Sequence, residues 1–242
     1  MENLNGIRNI IFDLGGVLLN IDFKKTFDAF AALGIKDAHA INDRPEVWQL
    51  FLDLECGKVE KEDFLRRFRE LVSPPAPLKQ GVRENSLSLT KEGLGWISDE
   101  AIISAFNALL LDYPPERIRL VQELSKKYRV FLLSNTNAIH VEYYNEMLSR
   151  EFGIENLDQL MEKAFYSNEL GCRKPDREIY LKVLKLADIK AEETLFIDDN
   201  EDNVKAAEEL GIRGVRVDEE LTVMGVFRHL SFVIRLSEEH NS

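Results

Sequence analysis

Four short stretches of the 242-residue chain are rich in Ile, Val, Phe and Leu: Arg8 to Phe12, Arg129 to Leu133, Thr194 to Ile197 and Gly214 to Val217. Each is too short for a helix and predicts a buried strand. Between the later stretches the period changes. "PPERIRLVQELSKKY" opens on Pro114 and Pro115, residues that suit a first helical turn, and sets Ile118, Val121 and Leu124 along one face. "PDREIYLKVLKLADI" repeats the device with Pro175, Ile179, Val183 and Leu186, and "NVKAAEELGI" is a short helix stopped at Gly211. Strand and helix alternating in this way predict an α/β fold, a parallel sheet covered on both faces.

Residues 21–113 break the rhythm. "FKKTFDAFAALGI", "RPEVWQLFLDLECG" and "EKEDFLRRFRELV" are amphipathic at helical spacing, and the strand pattern lapses. "SPPAPLKQGVRENSLSLTKEGLG" is a connection rich in Pro, Gly and Ser. So long a segment is not a loop, and an all-helical subdomain inserted after the first strand is expected. The core then comprises residues 1–20 and 114–242. Trp48 is expected in the core of the insert, and "MGVFRHLSFVIRLSEEHNS" is expected to hold a last helix and a frayed tail.

Composition narrows the class. No apolar run is long enough to span a bilayer, and "MENLNGIRNI" has neither the basic nor the apolar region of a signal peptide, so a cytoplasmic chain with no membrane partner is expected. Cys56 and Cys172 fit no metal spacing and read as small buried side chains with free thiols. A net charge of −12 argues against a nucleic-acid partner. It also means that attraction for an anionic ligand must come from a local cation. Nothing in the pattern indicates an oligomeric state.

Chemistry in an open parallel sheet gathers at the carboxyl ends of its strands. Four polar clusters fall there: Asp13 after the first strand, Ser134 and Asn135 after the second, Lys174 ahead of a helix in "YSNELGCRKPD", and Asp198 and Asp199 in "TLFIDD". Each alone has a structural explanation, as a strand-end carboxylate, a helix cap or a surface turn. Together they select a reaction. Three converging carboxylates repel and raise one another's pKa, and Mg²⁺ relieves that penalty with hard oxygen ligands. Ser134 and the Asn135 backbone N–H suit one oxygen of a phosphoryl group, Lys174 suits another, and Asp13 sits in line as a nucleophile. A small-molecule phosphate ester is the expected partner.

"FDLGGVL", "LLSNTN", "RKP" and "FIDDNEDN", in this order, resemble the four motifs of the haloacid dehalogenase superfamily of aspartate-nucleophile phosphatases. The resemblance covers nearly the whole chain, because the helical insert stands where a C1-type cap belongs on a Rossmann-like core. It implies Asp13 as nucleophile and metal ligand, with the Gly15 carbonyl and Asp199 as further Mg²⁺ ligands. Asp198 is implied to act through water or from behind. Ser134, Asn135 and Lys174 are implied to bind the phosphoryl group, Lys174 taking part in catalysis, and Asn203 to brace the fourth motif.

One position departs from the family pattern. Most of its phosphatases carry a second aspartate two residues after the nucleophile, as acid for the leaving group and base for water; here Gly15 stands there. General acid–base help is worth ~10²–10⁴-fold in rate. A sugar 1-phosphate needs less of it, and the pattern resembles a subgroup that includes a glucose-1-phosphate phosphatase, so a sugar phosphate is the expected substrate. Alternatively Asp22 or a cap residue such as Glu55 stands in, although Asp22 also suits a helix cap. A protein that binds phosphometabolites without turnover is a further alternative. So is a haloacid dehalogenase, against which the adjacent carboxylates Asp198 and Asp199 argue. Lys58 reads as a solvated loop lysine, His140 as a packing or exposed residue of the following helix, and Asn137 as its cap.

Overall fold

A computed structural model describes residues 5–72 and 97–227. The expected connection at 73–95 and most of the expected C-terminal helix and tail lie outside the described residues. Five parallel strands form one sheet: β1 (Asn9–Phe12), β2 (Arg129–Ser134), β3 (Lys163–Tyr166), β4 (Thr194–Asp198) and β5 (Arg213–Arg216), in the order β3-β2-β1-β4-β5. The first strand is central, and the order reverses between β1 and β4, where a crevice opens at the strand ends.

Alternation along the strands builds two cores. Ile10, Phe12, Val130, Leu132, Leu195 and Ile197 face one way, onto α5 (Pro115–Leu124) and α6 (Ala138–Phe152), which contribute Ile118, Val121, Leu124, Tyr144 and Met147. Ile11, Phe131, Leu133 and Phe196 face the other way, onto α8 (Arg177–Leu186) and α9 (Glu201–Glu208). Period-two strands buried on both faces thus read as continuous apolar runs.

β3 has no counterpart in the sequence expectation. Its four residues, Lys-Ala-Phe-Tyr, present too little apolar pattern to separate from the loops around them, yet they pair with β2 from Phe131↔Lys163 to Ser134↔Tyr166. A one-turn helix, α7 (Ser167–Leu170), follows directly.

Helices α1 (Phe23–Ala32), α2 (Pro45–Glu55), α3 (Lys61–Val72) and α4 (Asp99–Asn107) form the insert. Their apolar faces close on a third core containing Phe30, Leu50, Leu54, Phe64, Phe68 and Phe106, joined by Ile139 of α6. Phe30 and Phe68 have ring centroids 5.2 Å apart, and Phe64 and Phe68 stack at 5.7 Å. Trp48 is not part of this core: it is 43% exposed. Val47, Leu50 and Leu54 take the inward positions of α2, and Trp48 falls one residue out of that phase. Asp22 caps α1, its carboxylate accepting from the Lys24 N–H at 2.9 Å.

Candidate active site

The register brings the motif residues together. Phe12 pairs with Ile197, and the Asp13 N–H donates to the Ile197 carbonyl at 2.8 Å, so Asp13 and Asp198 leave adjacent strands side by side. Ser134 ends β2, the neighbour on the other side. The chain after Asp13 turns back through Gly16, at φ +72, with the Leu18 and Leu19 N–H groups both donating to the Leu14 carbonyl. A Cβ on Gly16 would lie 2.3 Å from Asp199 Oδ2, so only glycine lets the fourth-motif carboxylate approach this loop. The paired glycines after Asp13 mark this turn in the sequence, and the close approach of Asp199 is what the fold adds.

Lys174 is the hub. Its Nζ lies 2.8 Å from Asp13 Oδ1 and 2.6 Å from Asp198 Oδ2, with all three side chains almost wholly buried. Asn135 spans the Lys174 backbone, accepting from its N–H at 2.8 Å and donating to its carbonyl at 2.9 Å. The amide side chain of the second motif therefore aims the lysine of the third. Asp198 also accepts from Asn203 Nδ2 at 3.1 Å on both oxygens and from the Asn200 N–H at 2.8 Å. Its oxygens are committed within the protein, to Lys174 and the start of α9. Behind the Ser134–Asn135 turn, Ser167 Oγ accepts from the Thr136 N–H at 2.9 Å and donates to the Thr136 carbonyl at 3.1 Å, a brace supplied by the unforeseen α7.

Electrostatics follow from burial. Desolvation is the largest influence on Asp13 and pushes its carboxyl up to about 7; Lys174 opposes the rise and Asp198 adds to it. Burial, then Asp198, raises Asp199. Burial also works against the Lys174 charge, but Asp13 and Asp198 outweigh it and hold its pKa above the ordinary lysine value. One ammonium thus serves three carboxylates, whose oxygens lie within 4.8 Å of one another. An all-oxygen donor set with raised carboxyl pKa values suits a hard divalent cation.

The cluster lies in a cavity of about 360 Å³ lined by Asp13, Gly15, Ser134, Asn135, Lys174, Asp199 and Asn203 on the core side. Phe23, Glu55, Leu109 and His140 line the same cavity and also a smaller, largely aromatic recess of about 110 Å³ that adds Phe27, Trp48, Phe51 and Phe106. His140, expected to pack or face solvent, is half-buried at this junction. Its ring stacks on Phe106 at 4.9 Å and its Nδ1 lies 2.8 Å from Asn107 Oδ1. Asn137 caps α6, accepting from the Ile139 and His140 N–H groups. Lys58 is exposed. Cys56 and Cys172 are free thiols.

A carboxylate at the end of a central parallel strand, with a carboxylate pair from the end of the strand beside it and a buried lysine from the loop before α8, defines a class of α/β hydrolases. The chain belongs to the haloacid dehalogenase-like hydrolases: the sequence model of that family matches residues 7–211. D-ribitol-5-phosphate phosphatase of Bacteroides thetaiotaomicron is 32% identical over 226 residues, covering 90% of this chain and 98% of its own. A sesquiterpene phosphatase of Aspergillus oryzae is 28% identical over 222 residues, 91% and 94% of the two chains. A haloacid dehalogenase family enzyme of Bacteroides thetaiotaomicron, solved with magnesium and inorganic phosphate, superposes with a TM-score of 0.71 at 31% identity over 88% of this chain and 94% of that one. Among the described residues no helix is long and apolar enough to cross a membrane.

Proposed function

We propose that this protein is a Mg²⁺-dependent phosphatase of a small phosphorylated metabolite, a sugar phosphate by preference, working through a phosphorylated Asp13. The observation that carries the reading is the Asp13–Lys174–Asp198 network at the switch point of the sheet, with Asp199 beside it. The phosphatase names of the two relatives support the reaction, the ribitol phosphate of one supports the substrate class, and the magnesium of the solved relative supports the metal.

Asp13, Asp199 and the Gly15 carbonyl would hold the ion, Asp198 serving from behind through Lys174 and Asn203. Bound there, Mg²⁺ supplies positive charge to the carboxylates and to the phosphoryl oxygens. The Asp13 carboxylate attacks phosphorus, and its fixed place at the strand end orients the attack in line. Lys174 draws in one phosphoryl oxygen, and the Ser134 hydroxyl with the Asn135 backbone N–H binds another. Water then cleaves the acyl phosphate and restores Asp13. The role of Lys174 is accordingly double: it favours the ionised form of Asp13 against the effect of burial and neutralises charge as the phosphoryl group transfers.

Phosphate release from a panel of sugar phosphates with Mg²⁺ tests this. Asp13→Asn is expected to lower kcat by about 10⁴-fold or more, and chelation to abolish turnover. Undiminished release by the variant would remove Asp13 as the nucleophile. The dehalogenase alternative gains nothing from a site whose raised carboxyl pKa values call for a cation. Ligand binding without any release would instead favour the non-catalytic reading prompted by Gly15.

A further inference from the structure

Taking the phosphatase reading as given, one part is missing at position 15. A Cβ there would meet Ile21 Cδ1 at 3.0 Å, and glycine itself has no proton to give. The acid must come from elsewhere in the cavity wall. Besides Asp13, Asp199 and Lys174, the titratable side chains lining that wall among the described residues are Glu55, His140, Tyr144 and Arg173.

Three of these fail on chemistry or access. His140 is held at the seam, its Nδ1 2.8 Å from Asn107 Oδ1 and its ring stacked on Phe106. Burial pulls its pKa down to about 4, leaving no imidazolium near neutral pH. The Tyr144 hydroxyl is buried away from the open cavity, with no exposed surface from which to reach a ligand. A guanidinium does not release its proton in this range.

Glu55 remains, and its setting is built rather than accidental. It is the last residue of α2, on the insert, and Arg173 Nε donates to its Oε2 at 2.9 Å across the gap between insert and core. Arg173 directly precedes Lys174, so the pair ties Glu55 to the phosphate-binding lysine. Two residues on, Gly57 sits at φ +62, and a Cβ there would lie 2.0 Å from the Asn168 carbonyl oxygen. The turn after α2 is therefore seated on α7 of the core and holds Glu55 at the cavity. Burial raises the Glu55 pKa, against the pull of Arg173 and then Lys174. In an in-line transfer the acid stands on the far side of phosphorus from the nucleophile, within hydrogen-bond reach of the leaving oxygen. Glu55 lines the same cavity as Asp13 but from the insert, on an element apart from the strand that carries the nucleophile.

We infer that Glu55, oriented by Arg173, is the general acid and base that replaces the family's second aspartate. As the Asp13–phosphorus bond forms and the ester P–O bond breaks, the Glu55 proton passes to the leaving oxygen, giving the free alcohol. The Glu55 carboxylate then takes a proton from water as the water oxygen bonds to phosphorus and the Asp13–phosphorus bond breaks. Inorganic phosphate leaves, Asp13 is a carboxylate again, and Glu55 is reprotonated.

An acid matters in proportion to how poor the leaving group is, and kcat/KM isolates the step in which that group departs. The Mg²⁺-loaded enzyme and its Glu55→Gln variant, which keeps an oxygen for Arg173, are compared on alkyl phosphate esters and on p-nitrophenyl phosphate. The expected loss in kcat/KM is about 10²–10³-fold on the alkyl esters and under about tenfold on the aryl ester. An equal loss on both, the mark of a positional role, would overturn the assignment, as would no loss on either. Should the variant not fold, the wild type alone decides: comparable kcat/KM for alkyl and aryl esters is expected, and an enzyme that cleaves only aryl esters has no such acid. Preserved turnover with a uniform effect of Glu55→Gln sinks this inference alone, whereas a wild type that hydrolyses no phosphate ester sinks the phosphatase reading beneath it.

Discussion

The strand-end cluster and the helical insert solve opposite problems. In the cluster, the key side chains are buried and bound to main chain or to one another: Lys174 to Asp13 and Asp198, Asn135 to the Lys174 backbone, Asp198 to the Asn200 N–H. In the insert, the interior is a set of phenylalanine rings, and the groups that reach the cavity, Glu55, Phe23 and Trp48, lie on its edge. Chemistry common to many substrates is placed where the backbone fixes it. The insert's edge instead brings Glu55, paired with Arg173, and a set of aromatic side chains to the same cavity from outside the sheet.

The sharpest way to break this contrast is to remove the hub. Lys174→Met leaves Asp13 and Asp198 buried without their cation, and is expected to destabilise the protein by about 3–5 kcal/mol. Thermal denaturation would record a fall in Tm of roughly 10 °C for a chain of this size. A Tm within a degree of wild type would mean that the network is not the electrostatic keystone of the core.

A smaller effect is expected at the seam, from His140. Its folded pKa, about 4, lies below the ordinary histidine value because of burial. The unfolded chain therefore takes up the proton first as pH falls. The stability of the neutral, stacked ring is fully present above about pH 6.5 and is lost as pH drops towards 4. Since the ring borders the cavity, about 1–2 kcal/mol is expected, less than the full shift implies. Urea unfolding of wild type and His140→Gln at pH 7.5 and pH 5 measures it: the stability difference between the two proteins should shrink at the lower pH. A difference independent of pH would place the ring in water.

The same contrast governs what could be read from the sequence. Asp13, Asp198 and Asp199 were legible because they end or follow apolar runs and the ends of parallel strands meet by geometry alone; Lys174 was legible from its place beside Pro175, just ahead of a helix. The short β3 was not, since four residues with one charged end carry no period. Trp48 was misjudged because aromatic bulk suggested burial while the phase of Val47, Leu50 and Leu54 turned it outward. Nor does the sequence show that Asn135 spends its side chain on the Lys174 backbone, or that Arg173 pairs with Glu55. Those contacts join residues 39 and 118 positions apart, through loops whose paths depend on the whole fold.

Acid quenching in the first turnovers tests the role of Asp13 most directly. The wild-type enzyme with Mg²⁺ is mixed with a ³²P-labelled ester, quenched, digested and mapped. Attack by Asp13 predicts label on the peptide that contains "IIFDLGG", lost on treatment with hydroxylamine as an acyl phosphate must be. A burst of free alcohol with no phosphate bound to the protein, or label on another peptide, would contradict it.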